Sequence, residues 1–136
     1  DSDELIDYIE KMRRDGDSIV ITGYIDEQLK PSLYQHASLF VFPSWYEGYG
    51  IPPLESLQAG TPIIVSDIPI LHEVCKATAL YFNPHSADKL TLLIDKILRG
   101  KINMNEHMKK AQKLLDTLKW EKAAEKTMDC FLGVKK

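Results

Sequence analysis

Along most of the chain, short apolar runs alternate with segments of helical period, and after residue 86 only the helical period remains. Leu5, Ile6, Ile9 and Met12 fall at helical spacing, and Asp15-Gly16-Asp17 closes that segment. Ser18-Ile19-Val20-Ile21 is a β-branched run stopped by Thr22-Gly23, which predicts a first strand. Asp26 is placed to cap a helix whose apolar positions are Leu29, Leu33 and Ala37. Leu39-Phe40-Val41-Phe42 and Pro62-Ile63-Ile64-Val65 are further runs, closed by Pro43 and by Ser66-Asp67. A helix over Pro53 to Ala59, ending at Gly60, lies between them. Ala79-Leu80-Tyr81-Phe82 is the fourth run, stopped by Asn83-Pro84.

Beyond it, Ser86 heads a helix over Ala87 to Arg99, with Leu90, Leu93, Ile94 and Ile97 on one stripe and Gly100 past its end. Met108, Ala111, Leu115 and Leu118 make a second stripe, and Ala123, Ala124, Met128, Phe131 and Leu132 a third. Continuous apolar strands joined by helices predict a parallel sheet covered on both faces, since half-exposed strands would alternate apolar with polar. The expected fold class is therefore α/β: a Rossmann-like parallel sheet of about four strands flanked by helices, with a helical C-terminal tail. Ligands in such sheets bind beyond the carboxyl ends of the strands. That directs attention to the residues just after Ile21, Phe42, Val65 and Phe82.

Composition narrows the classes without naming one. The chain has 136 residues, 44 % hydrophobic and 27 % charged, a mix that excludes intrinsic disorder and collagen-like structure. Seventeen Lys and Arg against twenty Asp and Glu leave a net charge of −3, which offers no field for tracking nucleic acid. No stretch approaches the ~20 apolar residues of a membrane helix, and the acidic Asp1-Ser2-Asp3-Glu4 does not resemble a signal peptide. Cys75 and Cys130 lack ligand spacing and read as buried free thiols of a reducing compartment, so the expected location is cytoplasmic. His36, His72, His85 and His107 form no metal spacing, and Ser44 lacks the context of a nucleophile elbow. Lys109-Lys110 and Lys113 read as a solvated helix face, with peripheral contact at the inner face of a membrane as the alternative.

The richest chemistry lies after the second run, in Pro43-Ser44-Trp45-Tyr46-Glu47-Gly48-Tyr49-Gly50-Ile51-Pro52-Pro53-Leu54-Glu55. Gly48 and Gly50 let the backbone take φ > 0 and approach a ligand closely. Pro52 and Pro53 fix φ where a helix begins, and a helix N-terminus favours anions. Neither proline has an N–H, so the amides of Gly48, Tyr49, Gly50, Ile51 and Leu54 are left to hold an anion. Glu47 and Glu55 are acceptors suited to hydroxyls of a sugar, and this reading has both face the mouth of the site. The competing account has Glu55, in the first turn, complementing the helix dipole and Glu47 as a solvated charge.

Glu47-Gly48-Tyr49-Gly50-Ile51-Pro52-Pro53-Leu54-Glu55 resembles the E-x7-E signature of retaining, GT-B-fold glycosyltransferases of group 1, the GT4 class. The likeness extends to Gly23-Tyr24-Ile25, Leu33-Tyr34, Phe42-Pro43-Ser44, Ala59-Gly60-Thr61-Pro62, Glu73-Val74, Phe82-Asn83-Pro84 and Trp120. Tyr49 stands for the commoner Phe and Ser56 for the commoner Ala.

The resemblance implies that Glu47 is the catalytic-site residue contacting the donor hexose. It implies that Gly48, Tyr49, Gly50 and Ile51 bind sugar hydroxyls and the distal phosphate, that Glu55 holds the ribose, and more weakly that Gly23, Tyr24 and Ile25 lie beside the base. It implies a nucleotide-sugar donor (UDP- or GDP-hexose), a glycan, polysaccharide or lipid-linked acceptor, and retention at the anomeric carbon. The Pro-Pro form of the motif hints at mannosyl- and other hexosyltransferases. Neither a cofactor nor a metal is expected.

The family's Arg/Lys phosphate clamp and acceptor-binding domain would lie upstream of Asp1. Residues 1–136 thus read as the partial C-terminal donor-binding domain of a longer enzyme, inactive alone, with its final helices over about 104–132. A naturally short protein is the alternative. Terminal helices that lean on another domain in related enzymes imply exposed apolar surface here. Other functional readings are a non-catalytic nucleotide-sugar binding module and a GT-B-fold UDP-N-acetylhexosamine epimerase.

Overall fold

The computed structural model describes residues 2–16 and 18–133. Asp1 and Asp17, to which the sequence assigned an acidic start and a helix end, lie outside the described residues. The elements run α1 (Ser2–Arg14), α2 (Lys30–His36), β1 (Phe40–Phe42), α3 (Ile51–Gln58), β2 (Ile63–Ser66) and α4 (Pro69–Cys75). A 3-10 turn (Lys76–Thr78), β3 (Leu80–Phe82), α5 (Ala87–Leu98), α6 (Asn105–Leu115) and α7 (Trp120–Phe131) follow.

The three strands form one parallel sheet in the order β1-β2-β3. Val41 pairs with Ile64, and Val65 with Tyr81. Ile63, Ile64 and Val65 are fully buried, as a central strand without polar alternation requires. Leu57 of α3, Leu71 and Val74 of α4, Cys75, Ala79 and Ala111 of α6 pack with Ile63 and Val65 into the core. Prolines enter the first turns of α2, α3 and α4, where their missing N–H leaves no helical bond unmade.

The fold class is as expected, with one strand fewer. Among the described residues, 18–21 join no sheet, and Val20 and Ile21 are exposed. A β-branched run becomes a strand only beside a neighbour that completes its ladder, and this run lies outside β1-β2-β3. Its recorded tie is a hydrogen bond from Arg13 Nε to the carbonyl of Ile19 at 2.5 Å.

Other differences are local. Pro69–Cys75 forms a helix that the apolar pattern did not mark. Leu29 and Leu33 are exposed, while Lys30, Tyr34 and Ala37 are half-buried, so the inward stripe of α2 runs one residue over from the expected one. Asp26 does not cap α2; its carboxylate accepts the Gln28 amide in the preceding turn. Ser86 occupies the cap position of α5 without a side-chain cap bond. Cys75 is buried as expected, but Cys130 is exposed because α7 lies open to solvent.

Candidate functional site

Because the strands are parallel, their carboxyl ends share one edge of the sheet. Three connections emerge there: residues 43–50 after β1, Asp67 after β2 and Asn83 after β3. The first and third meet where the Trp45 and His85 rings pack edge to face, centroids 4.3 Å apart. The second is held at the end of β3 by the Asp67 amide, which donates to the Phe82 carbonyl at 2.7 Å.

Within the first loop, Ser44 Oγ lies 2.8 Å from Glu47 Oε1 and 3.0 Å from the Tyr46 carbonyl. Both are acceptors, so the single hydroxyl proton is shared between them and the half-buried Glu47 side chain is tethered to its own loop. Gly50 ends the loop in the left-handed region at φ 88° and ψ 61°, and Ile51 starts α3. A Cβ on Gly50 would come 2.8 Å from Leu71 Cδ2, so the bare backbone is what lets the loop lie against α4. Gly48 does not take a positive φ, contrary to the expectation for both glycines, and its surroundings are open. Gly48, Tyr49 and Ile51 face solvent.

Helix α3 begins two residues earlier than the sequence suggested, which moves Glu55 out of the first turn. Complementing the helix dipole therefore does not account for it, since that effect fades within one turn. Glu55 instead lines a cleft of about 350 Å³ between α2 and α3, with Glu27, Lys30, Tyr34 and Gln58. Tyr34 donates its hydroxyl to Glu55 Oε2 at 3.1 Å. Burial first, and the adjoining carboxylate second, push the Tyr34 phenol above its ordinary pKa, so it remains a donor past the usual range. Lys30 Nζ is 2.8 Å from Glu27 Oε1, and that bond holds its ammonium charged above the ordinary range.

Glu47 is not among the residues that line that cleft. Tyr49, Ile51 and Leu54 line a second, open cleft of about 600 Å³, together with Leu118, Trp120 and Ala123. Gly23 is left-handed at φ 61° and Tyr24 is 90 % exposed; neither they nor Ile25 line the Glu55 cleft, although Glu27 and Lys30 follow directly in the chain. His72 lies on α4, with Nε2 2.5 Å from Asp67 Oδ1 and its ring stacked on Tyr81 at 3.9 Å.

Sequence reasoning missed Tyr34 and Lys30 as cleft residues. Their signal was the spacing of Lys30, Tyr34 and Ala37 on one helical face, obscured by the apolar but outward Leu29 and Leu33.

The family described as "Glycosyl transferases group 1" matches over residues 2–114. The O-antigen chain mannosyltransferase RfbU of Salmonella typhimurium is 56 % identical over 52 residues, covering 38 % of this chain and 15 % of the relative. The serotype-specific mannosyltransferase WbdA of Escherichia coli is 33 % identical over 115 residues, covering 83 % of this chain and 14 % of the relative. The solved sucrose-phosphate synthase from Thermosynechococcus elongatus superposes with a TM-score of 0.79 at 25 % identity, over 96 % of this chain and 34 % of that one. The chain thus spans about a third or less of the proteins it matches. A family match over residues 2–114, joined to a parallel sheet that superposes on a solved relative, places the chain in the glycosyl transferases group 1 family.

Proposed function

We propose that this chain supplies the donor-binding half of a retaining hexosyltransferase, which moves a mannosyl or glucosyl group from a UDP- or GDP-sugar to a glycan, polysaccharide or lipid-linked acceptor. The observation that carries the proposal is the unit from Glu47 to Glu55 at the carboxyl edge of the sheet, with Gly50 left-handed against Leu71. In this reading Glu47 contacts the donor hexose near the reacting carbon. The amides of Gly48, Tyr49, Gly50 and Ile51 bind sugar hydroxyls and the distal phosphate, and Glu55 accepts the ribose hydroxyls. Gly23, Tyr24 and Ile25 flank the base.

The chemistry follows from charge. As the bond from the anomeric carbon to the diphosphate breaks, negative charge grows on the leaving oxygen and positive charge on the sugar. Fixed loop amides and the positive end of α3 stabilise the former without rearranging. A carboxylate beside the hexose stabilises the latter. The scheme asks for no metal and no cofactor. The name of the O-antigen chain mannosyltransferase among the relatives supports a polysaccharide acceptor. Among the described residues no helix is long and apolar enough to cross a membrane, which fits a cytoplasmic enzyme or one held at the inner membrane face through its acceptor.

Calorimetric titration of the complete protein with UDP and with GDP tests the donor side. One diphosphate is expected to bind, and Glu55→Gln to weaken it about tenfold, the loss of a hydrogen bond to a charged group. Binding of neither diphosphate, or an unchanged affinity in Glu55→Gln, contradicts the assignment.

A further inference from the structure

Tyr34 is fixed from two sides. Its ring stands edge-on to Phe40 with centroids 5.2 Å apart, and its backbone carbonyl accepts the Thr61 hydroxyl. The ring contact ties α2 to the sheet, and the carbonyl ties it to the turn after α3. Its own hydroxyl is thereby aimed at one oxygen of Glu55.

We infer that Tyr34 is a positioning residue for Glu55, orienting that carboxylate so that the cleft distinguishes a nucleotide with an intact ribose diol from its deoxy counterpart. The inference rests on Glu55 being the ribose ligand, as proposed above. A carboxylate offers about four acceptor positions on its two oxygens. The phenol occupies one on Oε2, which sets the carboxylate plane and leaves Oε1 free to receive hydroxyl donors.

The cleft's charges favour the same class of group. Lys30 is already matched by Glu27, so Glu55 leaves the cleft net negative. A phosphate is repelled there, whereas neutral hydroxyls are accepted. The nucleotide is therefore oriented with its sugar in the α2–α3 cleft and its phosphates toward the glycine loop.

Tyr34→Phe isolates the hydroxyl, because it keeps the ring beside Phe40 and the main-chain bond from Thr61. The test compares UDP with dUDP, and GDP with dGDP, by calorimetry on the complete protein. Wild type, Tyr34→Phe, Glu55→Gln, Glu55→Ala and the Tyr34→Phe/Glu55→Ala double variant are measured, with a thermal melt of each to confirm folding. Tyr34→Phe is expected to lower the ribo-to-deoxy affinity ratio by about 3- to 10-fold, the range for one ordinary net hydrogen bond acting through its partner. Adding it to Glu55→Ala, which removes the acceptor altogether, is expected to change nothing further, since the phenol acts only through the side chain at position 55. In steady state the donor KM should rise with kcat unchanged.

If Glu55→Gln lowers the ratio and Tyr34→Phe does not, the positioning role fails while the ribose site stands. A further drop on adding Tyr34→Phe to Glu55→Ala also overturns the role, because the hydroxyl would then touch ligand directly. If Glu55→Gln leaves the ratio intact, the ribose assignment fails and this inference falls with it.

Discussion

At Gly50 the left-handed backbone and the 2.8 Å approach that a Cβ would make to Leu71 Cδ2 act together, so the loop geometry depends on one missing side chain. Gly50→Ala is expected to destabilise the chain by about 2 kcal/mol or more, combining φ strain with overpacking. Denaturant unfolding measures it, and Gly48→Ala, in open space at negative φ, should come within about 0.5 kcal/mol of wild type. The two cysteines differ as sharply. Burial pushes the Cys75 thiol up to about 11, whereas Cys130 is exposed. Native protein at pH 8 should therefore react with a thiol reagent at Cys130 alone, with Cys75 following only on unfolding. The sign for stability follows. The unfolded thiol ionises above about pH 9 while the native one stays neutral, so this contribution is full below that pH and declines as pH rises toward 11. A Cys75→Ser variant should lose that part of the alkaline decline, read from midpoints between pH 8 and 11.

At the scale of elements, what the sequence made legible was whatever burial alone decides. Ile63-Ile64-Val65 announced a buried strand because no polar residue interrupts it, and the stripe through Met108, Ala111 and Leu115 announced a helix with one apolar face, which packs on the core. What burial does not decide was misread. Residues 18–21 have strand composition but no ladder partner among the described residues, and Leu29 and Leu33 are apolar without facing inward. The α3 start was placed late because prolines read as a boundary, whereas here they occupy the first turn behind Ile51. Ile63→Ala should cost about 2–5 kcal/mol, while Val20→Ala, at 73 % exposure, should stay within about 0.5. Hydrogen exchange should rank the same way, slowest in β2 and fast in α7, whose side chains are nearly all exposed.

For the whole molecule, the signature from Glu47 to Glu55 and its flanking residues made the family legible, and the match over residues 2–114 agrees. What holds each carboxylate was not legible, because it depends on how α2 and α3 pack and on the fold of the loop before α3. Only the fold separates Glu55, facing Lys30 and Tyr34, from Glu47, tethered by Ser44. The apolar surface expected at the terminal helices is present: Trp120, Phe131 and Leu132 are 88 %, 81 % and 70 % exposed.

The central claim is that the loop carrying Glu47 is the reacting part of a hexosyl donor site. Its most direct test is hexosyl transfer by the complete protein with Glu47→Ala, alongside a thermal melt. The account predicts a fall in turnover of about a hundredfold or more, with the melt and the diphosphate affinity close to wild type. Transfer that continues at the wild-type rate in a folded Glu47→Ala protein would contradict it.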